Sequence, residues 1–134
     1  MTSAVPIRPA TLADWGYILT TFAKSYAEVS AYAEHTSPAV LRELLKPALE
    51  HWQTAVAVDP DDETAILGWV CHRGGVLAWL FVRPELRLVG LGSELLKHAG
   101  ITPGTLIMPF APTRLRWLRT KWDIRFRPYL QLGL

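Results

Sequence analysis

Cysteine is almost absent from this chain: Cys71 is the only one in 134 residues. A single thiol forms no internal disulfide and supplies no metal-ligand spacing, which excludes a disulfide framework and argues against a metal site, in keeping with a reducing compartment. Apolar runs are short. None approaches the ~20 residues of a membrane span, and the opening Met1-Thr2-Ser3-Ala4-Val5-Pro6 lacks the basic start and apolar centre of a signal peptide. We therefore expect a soluble, cytoplasmic protein with no membrane partner. Internal repeats, low-complexity tracts and linkers are also missing, so one domain over residues 1–134 is the expectation. No Ser/His/Asp set stands in a recognisable context for nucleophilic catalysis.

What is present is a chain able to fold unaided. Half of its residues are hydrophobic and 19% are charged, a balance that gives a core and not a disordered segment. The net charge of +2 hides a division. Residues 1–64 carry four basic and nine acidic side chains, a net −5, whereas residues 65–134 carry ten basic and three acidic ones, a net +7. The C-terminal half therefore attracts anions, and a phosphorylated cofactor or a nucleic acid would each use that field. Six tryptophans in so small a chain also allow an exposed apolar patch and a homodimer.

The local signals order the chain. Val5 to Arg8 reads as a strand, followed by a cap at Thr11 and Asp14 and a helix to about Tyr26 with Trp15, Ile18, Leu19, Phe22 and Tyr26 on one stripe. Ser37-Pro38 starts a second helix, which Pro47 should kink or interrupt before Trp52. Thr54–Val58, Ala65–His72 and Val76–Val82 read as an antiparallel meander, the last buried on both faces, with turns at Asp59-Pro60-Asp61-Asp62 and Arg73-Gly74-Gly75. A short helix over Ser93–Ala99, a strand over Thr105–Met108, a basic helix over Arg114–Lys121 and strand segments at Asp123–Phe126 and Tyr129–Leu132 complete the order. Cys71 and His72 alternate on one strand, which implies a packed thiol and a surface imidazole. The predicted fold class is α/β (α+β), a mixed, largely antiparallel sheet flanked by helices.

One stretch is not explained by packing. Arg87-Leu88-Val89-Gly90-Leu91-Gly92 lies between the apolar strand and a helix-like segment that begins at Ser93. A glycine-bearing loop entering a helix leaves main-chain N–H groups unpaired at a positive helix end, which suits phosphate. The pattern Arg87-x-x-Gly90-x-Gly92 in this setting resembles the cofactor loop of the Gcn5-related N-acetyltransferase superfamily, and the opening Ile7 to Asp14 looks like its first strand and helix entry. The resemblance implies an acyl-coenzyme A-dependent N-acyltransferase that binds acetyl-coenzyme A, or another acyl-coenzyme A, where the strand Val76–Val82 splays from its neighbour. Leu80, Phe81 and Val82 would line the pantetheine arm. The pyrophosphate would lie on the N–H groups of Leu88, Val89, Gly90, Leu91, Gly92 and Ser93, with Arg87 and the Ser93 hydroxyl assisting.

The acceptor amine is not legible. In the resembled superfamily a Glu on the central strand and a Tyr on a late helix often move the protons, yet Val76–Val82 holds no carboxylate and Thr113–Lys121 no tyrosine. Tyr26, Tyr32 and His35 are the substitutes that the sequence offers, since they fall where the first two helices connect, and an imidazole titrates near neutral pH. Nucleic acid is the other partner to weigh. Arg114, Arg116, Arg119, Lys121, Arg125 and Arg127 interleave with Trp117, Trp122 and Phe126, a mixture that suits phosphate and bases or simply a solvated face over core aromatics. The compact chain also looks somewhat like small bacteriophage members of the superfamily that modify DNA bases, an alternative that includes a non-catalytic DNA binder.

Overall fold

The computed structural model describes residues 5–87, 90–102, 104–114 and 122–132. Strand β1 (Ile7–Pro9) leads through a 3-10 turn at Leu12–Asp14 into α1 (Trp15–Val29), then α2 (Pro38–His51), β2 (Gln53–Asp59), β3 (Asp62–Arg73), β4 (Val76–Val82), α3 (Leu91–His98), β5 (Thr105–Met108) and β6 (Asp123–Phe126). The six strands form one sheet in the order β1-β2-β3-β4-β5-β6. Strands β1 to β4 pair antiparallel, while β5 joins β4 and β6 joins β5 in parallel. This is the mixed, mostly antiparallel sheet with helices that the sequence pattern implies.

Local chemistry explains the joints. Arg8 holds the Asp14 carboxylate in a two-pronged contact of 2.7 and 3.1 Å, and the Thr11 main-chain N–H donates to the same carboxylate at 2.8 Å. That latch fixes β1 to the start of α1. Ser37 caps α2 by accepting from the Val40 N–H, with Pro38 in the first turn where its missing donor costs nothing. Gly74 and Gly75 both adopt positive φ, +50° and +84°, in the reversal between β3 and β4, as a tight hairpin requires.

The two faces of the sheet carry different helices. Trp69, Trp79 and Phe81 point to α1, where Trp69 Nε1 donates to Thr21 Oγ1 at 2.9 Å and the Tyr17 ring meets Phe81 edge-on. Their neighbours face α3. A Cβ on Gly68 would lie 3.2 Å from Leu95 and 2.7 Å from the Phe81 carbonyl, and one on Gly92 would lie 3.7 Å from Leu80 and Val82. Small residues thus let α3 lie close on β3 and β4.

Several boundaries differ from the sequence reading. Helix α1 runs three residues past Tyr26, and α2 passes unbroken through Pro47. Helix α3 starts at Leu91 and not at Ser93, so the last glycine of the loop is helical. The segment Tyr129–Leu132 is no strand: Pro128–Leu132 forms a 3-10 turn in which the Leu130 N–H returns to Arg127 and Gln131 Nε2 reaches the Pro109 carbonyl at 2.7 Å. Strand β4 is only partly covered, since Val76, Leu80 and Phe81 keep some exposure. Most of the expected helix over Arg114–Lys121 lies outside the described residues. His72 is buried at 7% exposure beside α3, not a surface imidazole, because the sheet is covered on that face too.

Candidate functional site: the open edge of the fourth strand

Strand β4 carries one residue more than its partner. Cys71 lies opposite Trp79 and His72 opposite Leu77, so Ala78 bulges from the ladder. A bulge bends a strand and increases its twist. On the other side β4 pairs with β5 only at Val76↔Ile107. Beyond that rung, among the described residues, β4 has no strand neighbour on its β5 side.

The direction of the exposed main chain follows from the pairing. The Arg83 N–H donates to the Leu67 carbonyl at 3.0 Å, so it faces β3. Main-chain groups alternate along an antiparallel strand, which turns Phe81 and Trp79 toward β3 and Leu80 and Val82 toward the open side. The side chain of Arg87 bears this out: its Nε donates to the Val82 carbonyl at 3.0 Å. Of the three residues expected to line an arm, Leu80 and Val82 offer their main chain there, while the Phe81 amide belongs to the ladder with β3.

The opening leads to the first turn of α3. Gly90, its N-cap, sits in the left-handed region at φ +84° and supplies no capping side chain. The first bond of the helix runs from the Glu94 N–H to the Gly90 carbonyl, so the amides of Leu91, Gly92 and Ser93 precede any intrahelical acceptor. Leu91 buries its side chain, whereas Gly90 and Ser93 are exposed. Leu88 and Val89 lie outside the described residues.

The α1 side of the bulge is packed with aromatic rings. Tyr26 stacks on Phe22 at 5.3 Å and meets Trp79 and Phe110 edge-on at 5.3 and 5.5 Å. It is 3% exposed. Burial pushes its phenol above the ordinary value, opposed by a hydrogen bond with Ser30. Trp79 Nε1 donates to Ser25 Oγ at 2.9 Å in the same cluster. The other two candidates are exposed: Tyr32 is 64% exposed and stacks on Phe126 at 5.6 Å, and His35 is a loop residue beside Glu34. Ser30 links two of the three candidates, since its hydroxyl is hydrogen-bonded to the Tyr26 phenol and accepts from the Tyr32 N–H at 3.3 Å.

The connection between α1 and α2 is tied to the chain after β5. Ala31 donates its N–H to Thr113 Oγ1 at 2.8 Å, the Arg114 N–H donates to the Val29 carbonyl at 2.8 Å, and Arg114 pairs with Glu34. None of these ties was legible in the sequence, where only the opposite charges of Glu34 and Arg114 gave any hint. The basic segment is also less free than its composition suggests, since Arg125 pairs with Asp123 at 3.2 Å and Trp122 packs on the core. Arg116, Trp117, Arg119 and Lys121 lie outside the described residues. Among those described, no three His, Cys, Asp or Glu side chains group as a metal site, and no helix is long and apolar enough to cross a membrane.

Solved structures share the overall fold of this chain. Its fold is that of the Gcn5-related N-acetyltransferases. A possible acetyltransferase from Clostridium difficile 630 matches with a TM-score of 0.62 at 15% identity, over 98% of this chain and 91% of that protein. A Gcn5-related N-acetyltransferase from Rhodopseudomonas palustris matches at 0.55 and 16% identity over 75% of this chain. The phosphinothricin acetyltransferase of Sinorhizobium meliloti, solved in complex with AcCoA, matches at 0.52 and 21% identity over 72% of this chain. The chain spans 66% of the second protein and 57% of the third, less than two thirds of either. No protein-family model and no curated protein matches the sequence. At these identities the Gcn5-related likeness is one of fold.

Proposed function

We propose that the chain, acting as one domain over residues 1–134, binds an acyl-coenzyme A along the open edge of β4 and transfers the acyl group, expected to be acetyl, to an amine. The observation that carries this reading is the parting of β4 from β5 beyond Val76↔Ile107, in an opening that ends at the first turn of α3. The groups present fit such a ligand. Leu80 turns its main-chain donor and acceptor, and Val82 its N–H, toward an extended arm bearing amides, the Val82 carbonyl being held by Arg87, and the amides of Leu91, Gly92 and Ser93 suit a diphosphate at a positive helix end. Gly90 takes a backbone angle that other residues adopt only with strain.

When bound, the thioester supplies an acyl group activated toward an amine. The residues of this chain hold and orient it. Strand β4 has no carboxylate, so orientation supplies much of the rate. Tyr26 faces Trp79 beside the bulge, and burial keeps its phenol protonated and able to donate a proton to a departing thiolate. Tyr32 and His35, at the surface of the α1–α2 connection, stand on the acceptor's approach in this reading.

Calorimetry with acetyl-coenzyme A tests the binding half. We expect saturable heat that is lost in Gly90→Trp, with circular dichroism showing that the variant still folds. Absence of heat at millimolar cofactor, or unchanged affinity in the variant, counts against the reading. Release of free thiol from acetyl-coenzyme A on adding a panel of amines tests the transfer half.

A further inference from the structure

The loop that approaches the proposed diphosphate site carries two described arginines, and neither is directed outward without a partner. Arg83 pairs with Glu85 at 2.6 Å, and Arg87 donates Nε–H to the Val82 carbonyl. Across residues 83–94 the charges are Arg83, Glu85, Arg87 and Glu94, which cancel. Val82 is itself one of the two residues whose main chain faces the open edge. A guanidinium on that carbonyl joins the loop to the strand at the mouth of the opening, five residues from its own start. Without that contact, an edge carbonyl would be left to water and the loop would lose its side-chain tie to β4 among the described residues.

We propose that Arg87 is a positioning residue, whose bond to Val82 sets the loop on β4 so that main-chain amides, and not a side-chain cation, receive the diphosphate. This rests on the acyl-coenzyme A reading above. It reassigns Arg87 from direct contact with phosphate to holding the main chain that makes the contact. The hydrogen-bond donor of Arg87 then matters and its charge does not. Recognition through amides of a loop with no net charge also depends less on salt than recognition through paired cations.

Three proteins decide it: wild type, Arg87→Gln, which keeps an N–H donor without charge, and Arg87→Met, which keeps length without a donor. Affinity for acetyl-coenzyme A is measured by calorimetry at several salt concentrations. Amide hydrogen exchange across residues 83–95 is measured without ligand. We expect Arg87→Gln to bind within about twofold of wild type with the same salt slope, and Arg87→Met to bind roughly tenfold more weakly, the scale of one hydrogen bond. Exchange should rise in Arg87→Met and remain near wild type in Arg87→Gln. If Arg87→Gln loses as much affinity as Arg87→Met and its salt slope flattens, Arg87 contacts phosphate directly and the proposal fails. If Arg87→Met matches wild type in affinity and exchange, the bond positions nothing and the proposal also fails. Should wild type bind no acetyl-coenzyme A, the functional reading falls, and the exchange data alone still decide whether Arg87 orders the loop.

Discussion

The indole N–H of Trp79 donates to the Ser25 hydroxyl at 2.9 Å with both side chains buried. This one bond joins the residue beside the β4 bulge to the C-terminal third of α1, so the geometry of the proposed reaction centre depends on a helix that is remote in sequence. Ser25→Ala leaves a buried donor unsatisfied. We expect a loss of about 1–3 kcal/mol in a urea titration, whereas Ser25→Thr, which keeps the hydroxyl, should lose less.

Tyr26 separates packing from chemistry. Tyr26→Phe keeps the ring contacts with Phe22, Trp79 and Phe110 and removes the hydroxyl. If the phenol donates a proton, turnover falls by about 10² or more while cofactor affinity measured by calorimetry stays the same. Equal turnover in both proteins would assign Tyr26 to the core alone.

The Arg8–Asp14 latch predicts a sign for acid sensitivity. The hydrogen bond from Arg8 holds the Asp14 carboxyl below its ordinary value, against the effect of burial. A depressed folded value means that the latch stabilises the protein above the unfolded value, near 3.9, and that this contribution fades as pH falls through the folded value. Asp14→Asn should therefore flatten the stability curve below about pH 4 and cost on the order of 1–2 kcal/mol at neutral pH, the scale of a helix cap. Urea midpoints measured between pH 2 and pH 7 check it.

Two glycines on the α3 side should respond in opposite ways. A Cβ at Gly68 meets the Phe81 carbonyl at 2.7 Å, a main-chain atom that cannot step aside, while one at Gly92 finds ordinary contacts at 3.7 Å. Gly68→Ala should destabilise by about 1–3 kcal/mol. Gly92→Ala should be neutral or stabilising by up to about 1 kcal/mol. Thermal melts of the two variants make the comparison.

Cys71 is fully buried, and burial pushes its thiol up to about 12. The folded protein should resist thiol reagents at pH 8 and react completely in denaturant. In the unfolded chain the thiol ionises near 8.5. Stability should therefore fall as pH rises above that value, because the unfolded state releases a proton that the folded state retains.

Most of the architecture could be read from short-range chemistry. The turn at Asp59-Pro60-Asp61-Asp62 and the glycine pair at 74 and 75 delimit the meander, and the Ser37-Pro38 signal marks α2 to the residue. Tyr129-Leu130-Gln131-Leu132 alternates like a strand, yet its backbone folds back on Arg127, because pairing partners are a property of the fold and not of the segment. Pro47 misled for a related reason: packing of α2 against α1 outweighs one lost bond. At the site, the glycine loop and the edge strand were legible as residue types. The bulge at Ala78 was not, since a bulge is a mismatch between two strands that neither reveals alone. Tyr26, Tyr32 and His35 are close in sequence and differ in exposure, because Tyr26 closes the buried stripe of α1 and the other two follow in an exposed turn.

The central claim is that the open edge of β4 and the first turn of α3 together receive one extended, diphosphate-bearing ligand. Main-chain amide chemical shifts recorded during a titration with acetyl-coenzyme A test it most directly. The account predicts that the largest changes fall together on Leu80, Val82, Leu91, Gly92 and Ser93, with one common affinity. Saturation that leaves these amides unmoved, or that moves residues on another face only, contradicts it.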